Sequence, residues 1–146
     1  MTALAVNAIA HWALKTSNLD RLLAFYRDTL GFAEMMRLYK DDGSTWLVYL
    51  RVTDTQYLEI FPDGEGTKAP GWDDTAINHI CLDVADIDAT AADLEKRGVA
   101  LIITPKLGLD GNRQCWIEDP DGNRIEFMQM LPGNMPEEAI KRMKKK

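Results

Sequence analysis

The strongest constraint on this fold is a pattern of residues that occurs twice in the chain. His11 and the leucine three residues after it recur as His79 and a second leucine, 68 positions further on. Glu59 recurs as Glu126, 67 positions further on. Offsets that agree at both ends of a repeat indicate an internal duplication rather than two unrelated stretches. The chain is therefore expected to fold as two similar units.

Each copy is predicted to form a strand, a helix and three further strands. In the first copy, Thr16-Ser17-Asn18 offers an N-cap, and apolar residues then recur at helical spacing up to Gly31, where the helix ends. Asp86 and Gly98 bound a second helix, which runs through residue 97. The predicted strands cover residues 9–15, 32–38, 46–52 and 56–61 in the first copy and residues 76–84, 100–103, 113–118 and 123–130 in the second.

These elements predict an α+β fold made of two tandem βαβββ modules in a single domain. The domain covers residues 1–131, with modules at about 7–61 and 76–130. A stretch rich in Gly, Pro, Asp and Glu at residues 62–75 connects the modules. Residues 132–146 follow as a basic tail, for which a docked helix and a solvated extension are the two alternatives.

Composition and charge narrow the class of protein. Of the 146 residues, 46% are hydrophobic and 27% are charged, which is enough apolar surface for one globular core. The net charge of −6 opposes binding to nucleic acid. No apolar run reaches the roughly 20 residues of a membrane helix, and the N-terminus lacks the features of a signal peptide. Cys81 and Cys115 are too few for a disulfide scaffold, so we expect a cytoplasmic protein with no membrane partner.

Both histidines of the chain occupy the same position in the two copies, on the predicted first strand of each. The two matching glutamates lie on the predicted last strand of each copy. Because side chains alternate along a strand, the apolar neighbours of all four residues point to the opposite face. Helices are thus expected on one face of each sheet, and the other face carries His11, Glu59, His79 and Glu126.

These four side chains are suitable ligands for Zn²⁺, Ni²⁺, Fe²⁺ or Mn²⁺. Taken singly, a histidine in a strand is usually structural, and a glutamate is usually solvated or paired with a basic residue. Because the four occur together, we predict that they converge on one metal ion. The turn at residues 119–123 is predicted to aim Glu126 into this site. Cys81 is either a soft fifth ligand or a small buried hydrophobic residue.

Several motifs, spaced over residues 7–130, make a known pattern. They are His11, Asn18-Leu19-Asp20-Arg21, residues 25–32, Asn78-His79-Ile80 and residues 118–127. This pattern resembles the vicinal oxygen chelate (VOC) superfamily, and within it the glyoxalase I (lactoylglutathione lyase) branch. The resemblance implies a cupped, half-barrel mixed sheet with the helices outside, and a homodimer.

The resemblance also implies a ligand set and a reaction. His11, Glu59, His79 and Glu126 would hold one divalent ion per site, Ni²⁺ or Zn²⁺ in glyoxalase I, with Fe²⁺ or Mn²⁺ as further options. The implied reaction is proton transfer next to a carbonyl group through a metal-bound enediolate. It converts the hemithioacetal of a 2-oxoaldehyde to a hydroxyacyl thioester. Glu126 is expected to be the general base and Glu59 its partner.

Two positions depart from the glyoxalase I pattern. Lys15 stands where that branch has an arginine that holds the glutathione carboxylate, and Asp63 stands where it has an asparagine. An aspartate at this place would repel a carboxylate, which argues against glutathione as the thiol.

Residues around the predicted site are candidates for substrate contacts. Lys106 and Arg113 flank the loop 107–112, which is placed to cover a site and to contact an anionic substrate, although solvated loop charges are the alternative. The apolar candidates line a pocket or simply fill the space between sheets; they are Ile9, Ala13, Tyr57, Phe61, Ile77, Cys81, Met128 and Met130. The predicted substrate-binding set is Lys15, Tyr57, Phe61, Lys106, Arg113 and Met128.

Other functions of the superfamily remain as alternatives. Epimerases and thiol transferases share the predicted ligand chemistry. An extradiol dioxygenase would use Fe²⁺ with two histidines and one carboxylate, and Glu59 argues against it because a fourth ligand leaves fewer positions for O₂ and catechol. A non-catalytic binding or resistance protein would use the same fold without metal.

Overall fold

The computed structural model describes residues 4–144, which form two compact units divided between Thr67 and Lys68. Each unit contains a four-stranded mixed sheet, and the two sheets have the same strand order. The predicted α+β fold with two βαβββ modules is confirmed. The division lies inside the predicted connector 62–75.

Unit 1, before the division, follows the predicted order of a strand, a helix and three strands. Strand β1 pairs in parallel with β4, and the other neighbours are antiparallel, in the order β1-β4-β3-β2. The elements are β1 (His11–Lys15), α1 (Leu19–Leu23), which continues as a π-helical segment (Ala24–Thr29), β2 (Glu34–Tyr39), β3 (Thr45–Arg51) and β4 (Tyr57–Phe61).

The first helix begins and ends at the predicted residues but is wider in its second half. The Asn18 side chain accepts a hydrogen bond from the backbone N–H of Arg21, and Gly31 has a φ of 84°. Within this segment the N–H of Leu30 donates to the carbonyl of Phe25, five residues earlier, which is the π-helical pattern. Apolar spacing predicted a helix here but could not distinguish the π turn.

Unit 2, after the division, has the sheet order β5-β8-β7-β6, and β5 pairs in parallel with β8. A helix of ten residues follows the last strand, where the sequence left a helix and a solvated tail as alternatives. The elements are β5 (Ile80–Asp83), α2 (Ile87–Lys96), β6 (Ile103–Leu107), β7 (Arg113–Glu118), β8 (Arg124–Gln129) and α3 (Met135–Lys144).

Two strand predictions in unit 2 were displaced. Strand β6 was expected at residues 100–103 but runs from Ile103 through Pro105. Proline was taken as the end of the strand, yet β6 is an edge strand, where a missing N–H is tolerated, and its pairing is irregular at this point. Strand β5 was expected from residue 76 but begins at Ile80, so His79 lies just before it.

Alternation along the strands places the cores as predicted. In unit 1 the strand residues on either side of Glu59, Leu58 and Ile60, are fully buried. In unit 2 Ile125 and Phe127 flank Glu126 in the same way, and α2 contacts β6, β7 and β8. The apolar face of each sheet is therefore covered, and the histidine and glutamate belong to the other face. No helix within residues 4–144 has the length and apolar character needed to cross a membrane.

Candidate functional site

Unit 1 brings His11 and Glu59 together across the parallel pair β1 and β4. The distance from His11 Nε2 to Glu59 Oε2 is 3.6 Å, and the two side chains are 39% and 13% exposed. Tyr57 lies directly opposite His11 in β4, and the two rings stack with centroids 5.0 Å apart. The pair is thus held by strand register and by ring packing, with His11 open to solvent.

Tyr49 is a third member of this half of the site, which the sequence analysis did not identify. It lies opposite Glu59 on strand β3, and its ring centroid is 5.6 Å from that of Tyr57. Burial of the phenol, together with the negative charge of Glu59, raises the pKa of Tyr49. The signal for finding it was its position on the strand next to Glu59, which needs the β3–β4 register to be known.

Unit 2 brings His79 and Glu126 closer together. The distance from His79 Nε2 to Glu126 Oε2 is 3.1 Å, and the Glu126 side chain is only 5% exposed. Trp116 lies opposite Glu126 on β7, and its ring centroid is 4.5 Å from that of His79. His79 Nδ1 is 2.9 Å from the Asn78 Oδ1 atom. The carboxylate is therefore shielded from water, and the imidazole is fixed on two sides.

The turn before β8 has the predicted geometry. Oδ1 of Asp119 accepts hydrogen bonds from the backbone N–H groups of Asp121 and Asn123, at 2.9 and 2.8 Å. Gly122 has a φ of 83°, which glycine adopts at low cost. This closed turn delivers the chain directly into β8 and so sets the direction of Glu126.

Cys81 lies opposite Glu126 on β5. Desolvation of the thiol, followed by the effect of the Glu126 carboxylate, raises the pKa of Cys81 to about 12. Without a metal ion the thiol is therefore neutral near pH 7. Cys81 is exposed, so its interpretation as a small buried hydrophobic residue is wrong, and its role as a fifth ligand stays a prediction.

The donor set of each unit fits two neighbouring ligands of one metal ion. Ligand atoms about 2.0–2.2 Å from a zinc ion lie roughly 3–3.5 Å from one another. The imidazole nitrogen and carboxylate oxygen are separated by 3.6 Å in unit 1 and 3.1 Å in unit 2. Within residues 4–144, however, no three His, Cys, Asp or Glu side chains are grouped to hold an ion. Each unit thus presents two donors, and a four-ligand site remains a prediction.

The predicted substrate contacts in unit 1 surround the His11–Glu59 pair. Tyr57 stacks on His11, Lys15 is exposed at the end of β1, and Phe61 at the end of β4 packs edge-on against Trp46. Their ring centroids are 6.4 Å apart in this last contact. The face that carries the pair is therefore aromatic and has an exposed lysine at its edge.

Two basic candidates in unit 2 have partners or positions that were not expected. Arg113 forms an ion pair with Asp88 of α2 at 2.6 Å, so its guanidinium is already bound. Lys106 lies within β6 rather than in a loop and pairs with Gln114. Met128, opposite Gln114 on β8, is half-buried.

The loop 107–112 is fastened to the chain around it. Asn112 is fully buried, and its backbone carbonyl accepts a hydrogen bond of 2.7 Å from the N–H of Gly108. The carbonyl of Asp110 accepts another from the N–H of Met135 at the start of α3. These bonds give the loop a fixed structure within unit 2.

Asp63, the acidic departure from the glyoxalase I pattern, is paired with a lysine. Lys40 Nζ lies 2.6 Å from Asp63 Oδ2, and this hydrogen bond raises the pKa of Lys40. The lysine offsets the negative charge that was expected to repel a carboxylate. The argument against glutathione is weaker for that reason.

Comparison with known proteins identifies the family. A family model described as the Glyoxalase/Bleomycin resistance protein/Dioxygenase superfamily matches residues 8–127. The chain belongs to this superfamily. The resemblance inferred from the motifs is confirmed.

Relatives in this superfamily differ in what they do. The chain is 31% identical to a lactoylglutathione lyase of Haemophilus influenzae, over 83% of this chain and 91% of that protein. It is 26% identical to an ethylmalonyl-CoA/methylmalonyl-CoA epimerase of Cereibacter sphaeroides, over 81% of this chain and 92% of that protein. A solved structure of an antibiotic binding protein from a Streptomyces species has a TM-score of 0.67 and 26% identity, over 88% of this chain and 100% of that chain. A lyase, an epimerase and a binding protein are thus all similar to this chain.

Proposed function

We propose that the chain is a metal-dependent enzyme that moves a proton on a carbon next to a carbonyl group, in a glyoxalase I-like lyase reaction. The observation that carries this proposal is the nearly buried Glu126 carboxylate, 3.1 Å from His79 Nε2. A carboxylate shielded from water beside an imidazole is a suitable general base in a metal site. The similarity to a lactoylglutathione lyase and to an epimerase supports the same chemistry.

The proposed ligands of one divalent ion, Ni²⁺ or Zn²⁺, are His11, Glu59, His79 and Glu126. The donor chemistry and the spacing within each pair support this set. When bound, the ion would supply Lewis-acid polarisation of the substrate carbonyl. The protein's own contribution is to orient the substrate, to exclude water and to accept the proton.

Glu126 is the proposed base, and Glu59 is its partner. Both carboxylates lie beside an imidazole, but Glu59 is 13% exposed and 3.6 Å from its histidine, whereas Glu126 is 5% exposed and 3.1 Å from its histidine. The carboxylate that is better shielded from water and closer to its imidazole is the better placed of the two to accept a proton from a bound substrate.

The proposed substrate is the hemithioacetal of a 2-oxoaldehyde and a thiol. Tyr57 and Phe61 offer an aromatic surface beside His11, and Lys15 offers a positive charge for an anionic end of the thiol. Pairing of Asp63 with Lys40 removes a source of repulsion from such an anion. A homodimer is proposed from the family resemblance.

Epimerisation is the second candidate, because it needs the same proton transfer but no thiol adduct. Lys15, which stands where glyoxalase I has an arginine, and the similarity to the epimerase favour it. An acyl thioester would then replace the hemithioacetal as the substrate.

A parallel assay separates the candidates. The protein is loaded with Ni²⁺ or Zn²⁺ and tested with methylglyoxal plus glutathione, with methylglyoxal plus other thiols, and with methylmalonyl-CoA in deuterated water. Thioester formation supports the lyase, and deuterium uptake at the carbon next to the thioester carbonyl supports the epimerase. Absence of both reactions in protein shown to be loaded with metal would contradict the proposal and favour a binding protein.

A further inference from the structure

Arg124 begins β8 and is buried although its side chain is charged. Its exposed fraction is 5%. It donates three hydrogen bonds to carbonyl oxygens of the preceding segment, from Nε to Asn78 at 2.7 Å, from Nη1 to Pro70 at 3.1 Å and from Nη2 to Gly71 at 3.3 Å. The ring of Trp72 lies against the guanidinium, 4.5 Å from its carbon to the ring centroid. A buried charge needs such partners, and five donors in a planar fork suit several carbonyls at once.

The segment that Arg124 holds leads directly to His79. Residues 70–78 contain no helix or strand, and the strand β5 begins only at Ile80. The backbone on the N-terminal side of His79 is therefore fixed by side chains rather than by the sheet. Arg124 supplies the shortest of its three bonds to the carbonyl of Asn78, the residue joined to His79.

The same contacts continue to the imidazole ring. Nδ1 of His79 lies 2.9 Å from Oδ1 of Asn78, an amide oxygen that can only accept a hydrogen bond. The other ring nitrogen, Nε2, faces Glu126. Trp116 packs against His79 and also against Trp72, with ring centroids 5.5 Å apart in the second contact. Arg124, Trp72 and Asn78 thus form one connected group that ends at the ring of His79.

Unit 1 holds the residue before its histidine with a main-chain hydrogen bond instead of a side chain. The residue before His11 is Ala10, and its carbonyl accepts a hydrogen bond of 3.3 Å from the backbone N–H of Tyr57. Tyr57 occupies in β4 the position that Arg124 occupies in β8, two residues before the glutamate. His11 is the first residue of its strand β1, so pairing within the sheet is sufficient to hold the backbone there. His79 lies outside its strand, and the Arg124 side chain takes the place of the missing backbone bond.

We infer that Arg124 is a positioning residue for His79, which it orients toward Glu126 by holding the carbonyl of Asn78. The inference rests on the proposed function, because the orientation matters for binding a metal ion. A ligand that is already oriented loses less freedom on binding. Loss of residues that orient a metal ligand typically costs 10–100-fold in metal affinity.

The test compares Arg124→Lys with Arg97→Lys, an exposed arginine on the same unit. Lysine keeps the charge but lacks the planar fork, so it cannot hold three carbonyls. Zn²⁺ affinity, measured by competition titration, is expected to fall about tenfold or more in Arg124→Lys and to stay unchanged in Arg97→Lys. Asn78→Ala, which removes only the last contact with the ring, is expected to have a smaller effect in the same direction.

Nuclear magnetic resonance of the metal-free protein provides a readout that does not depend on metal binding. The chain has two histidines, so the imidazole ¹⁵N signals of His11 serve as an internal reference for those of His79. Arg124→Lys and Asn78→Ala are expected to shift or broaden the ring signals of His79 and to leave those of His11 in place. A general loss of structure would change both histidines and the circular dichroism spectrum.

Two results would overturn the inference. One is an Arg124→Lys protein with unchanged His79 signals and unchanged Zn²⁺ affinity. The other, if that variant does not fold, is an Asn78→Ala protein with the same two unchanged properties. If the unaltered protein binds no metal, the proposed function fails, but the His79 signals still decide whether Arg124 positions the ring.

Discussion

The two units present the same pair of residues on the same face of the same fold, but in different surroundings. In unit 1, Glu59 lies opposite Tyr49 and is 13% exposed, and its neighbour His11 is the first residue of β1 and is 39% exposed. In unit 2, Glu126 lies opposite Trp116 and is 5% exposed. The matching position on the neighbouring strand therefore carries a phenol in unit 1 and an indole in unit 2.

On the proposed function, this difference gives the two carboxylates different roles. The more exposed Glu59 serves as a metal ligand, whereas the shielded Glu126 is better placed to accept the substrate proton. The strand register places the pairs, and the residues around each pair determine their chemistry.

The largest expected effect is on turnover. Glu126→Gln removes the proposed base, because an amide cannot accept the proton, and should lower kcat by about 10²–10⁴-fold at saturating metal. Glu59→Gln should lower kcat less, and Glu95→Gln, an exposed glutamate on α2, should have no effect. Steady-state rates with metal content measured on the same samples check this. A near-normal kcat for Glu126→Gln, or a larger loss for Glu59→Gln, would reverse the comparison.

A smaller effect is expected from the phenol. Tyr49→Phe removes the hydroxyl of the residue opposite Glu59 and keeps the ring, and we expect metal affinity to fall about tenfold because a residue beside a proposed ligand is changed. Tyr39→Phe is the matched control, since Tyr39 is 62% exposed. Trp116→Phe should change metal affinity less than Tyr49→Phe, because the Trp116 indole donates to Gln114 rather than to a ligand. Equal effects of the tyrosine and tryptophan changes would show that the two units do not differ in this way.

The smallest expected effect concerns stability and pH. The pKa of Glu34 in unit 1 is lowered, chiefly by its hydrogen bond to Arg37, which is 2.9 Å at Nε. Because the pKa of Glu34 is lower in the folded protein, its carboxylate contributes its full stabilisation above the ordinary pKa of a glutamate. This stabilisation is lost as the pH falls through the pKa of Glu34 in the folded protein. Glu34→Gln should therefore cost about 1 kcal/mol or less near pH 7 and less than that at pH 3.

Asp88 is the corresponding test in unit 2. Its pKa is lowered by Arg113, but its side chain is 65% exposed, against 25% for Glu34. Asp88→Asn should therefore destabilise the protein less than Glu34→Gln. Urea unfolding of both variants and the unaltered protein at the two pH values gives the comparison. A difference for Glu34→Gln that is as large at pH 3 as at pH 7 would mean that packing, not charge, is responsible.

The parts of this structure that were predictable from the sequence are those that depend on periodicity and turn chemistry. The repeat, the alternation about Glu59 and Glu126 and the turn before β8 were all derived from local patterns. The location of β6 was wrong because the proline signal is weaker at the edge of a sheet. The π-helical turn was missed because its apolar spacing is close to that of an α-helix.

The roles of Tyr49 and Arg124 needed long-range information. Tyr49 and Glu59 belong to one hairpin, β3–β4, but whether they lie opposite each other depends on the register of the two strands. Arg124 reaches carbonyls some 46 to 54 positions earlier in the chain. Neither contact has a local signature, because strand pairing and loop docking are set by the folded chain.

The number of metal ions bound per chain tests the central claim most directly. Elemental analysis after loading with Ni²⁺ or Zn²⁺ and removal of excess ion should find one ion per chain, since the proposed site uses both histidine–glutamate pairs. His11→Ala and His79→Ala should each reduce this number toward zero. Two ions per chain, with one retained in each variant, would show two independent pairs, and no bound ion in the unaltered protein would contradict the account.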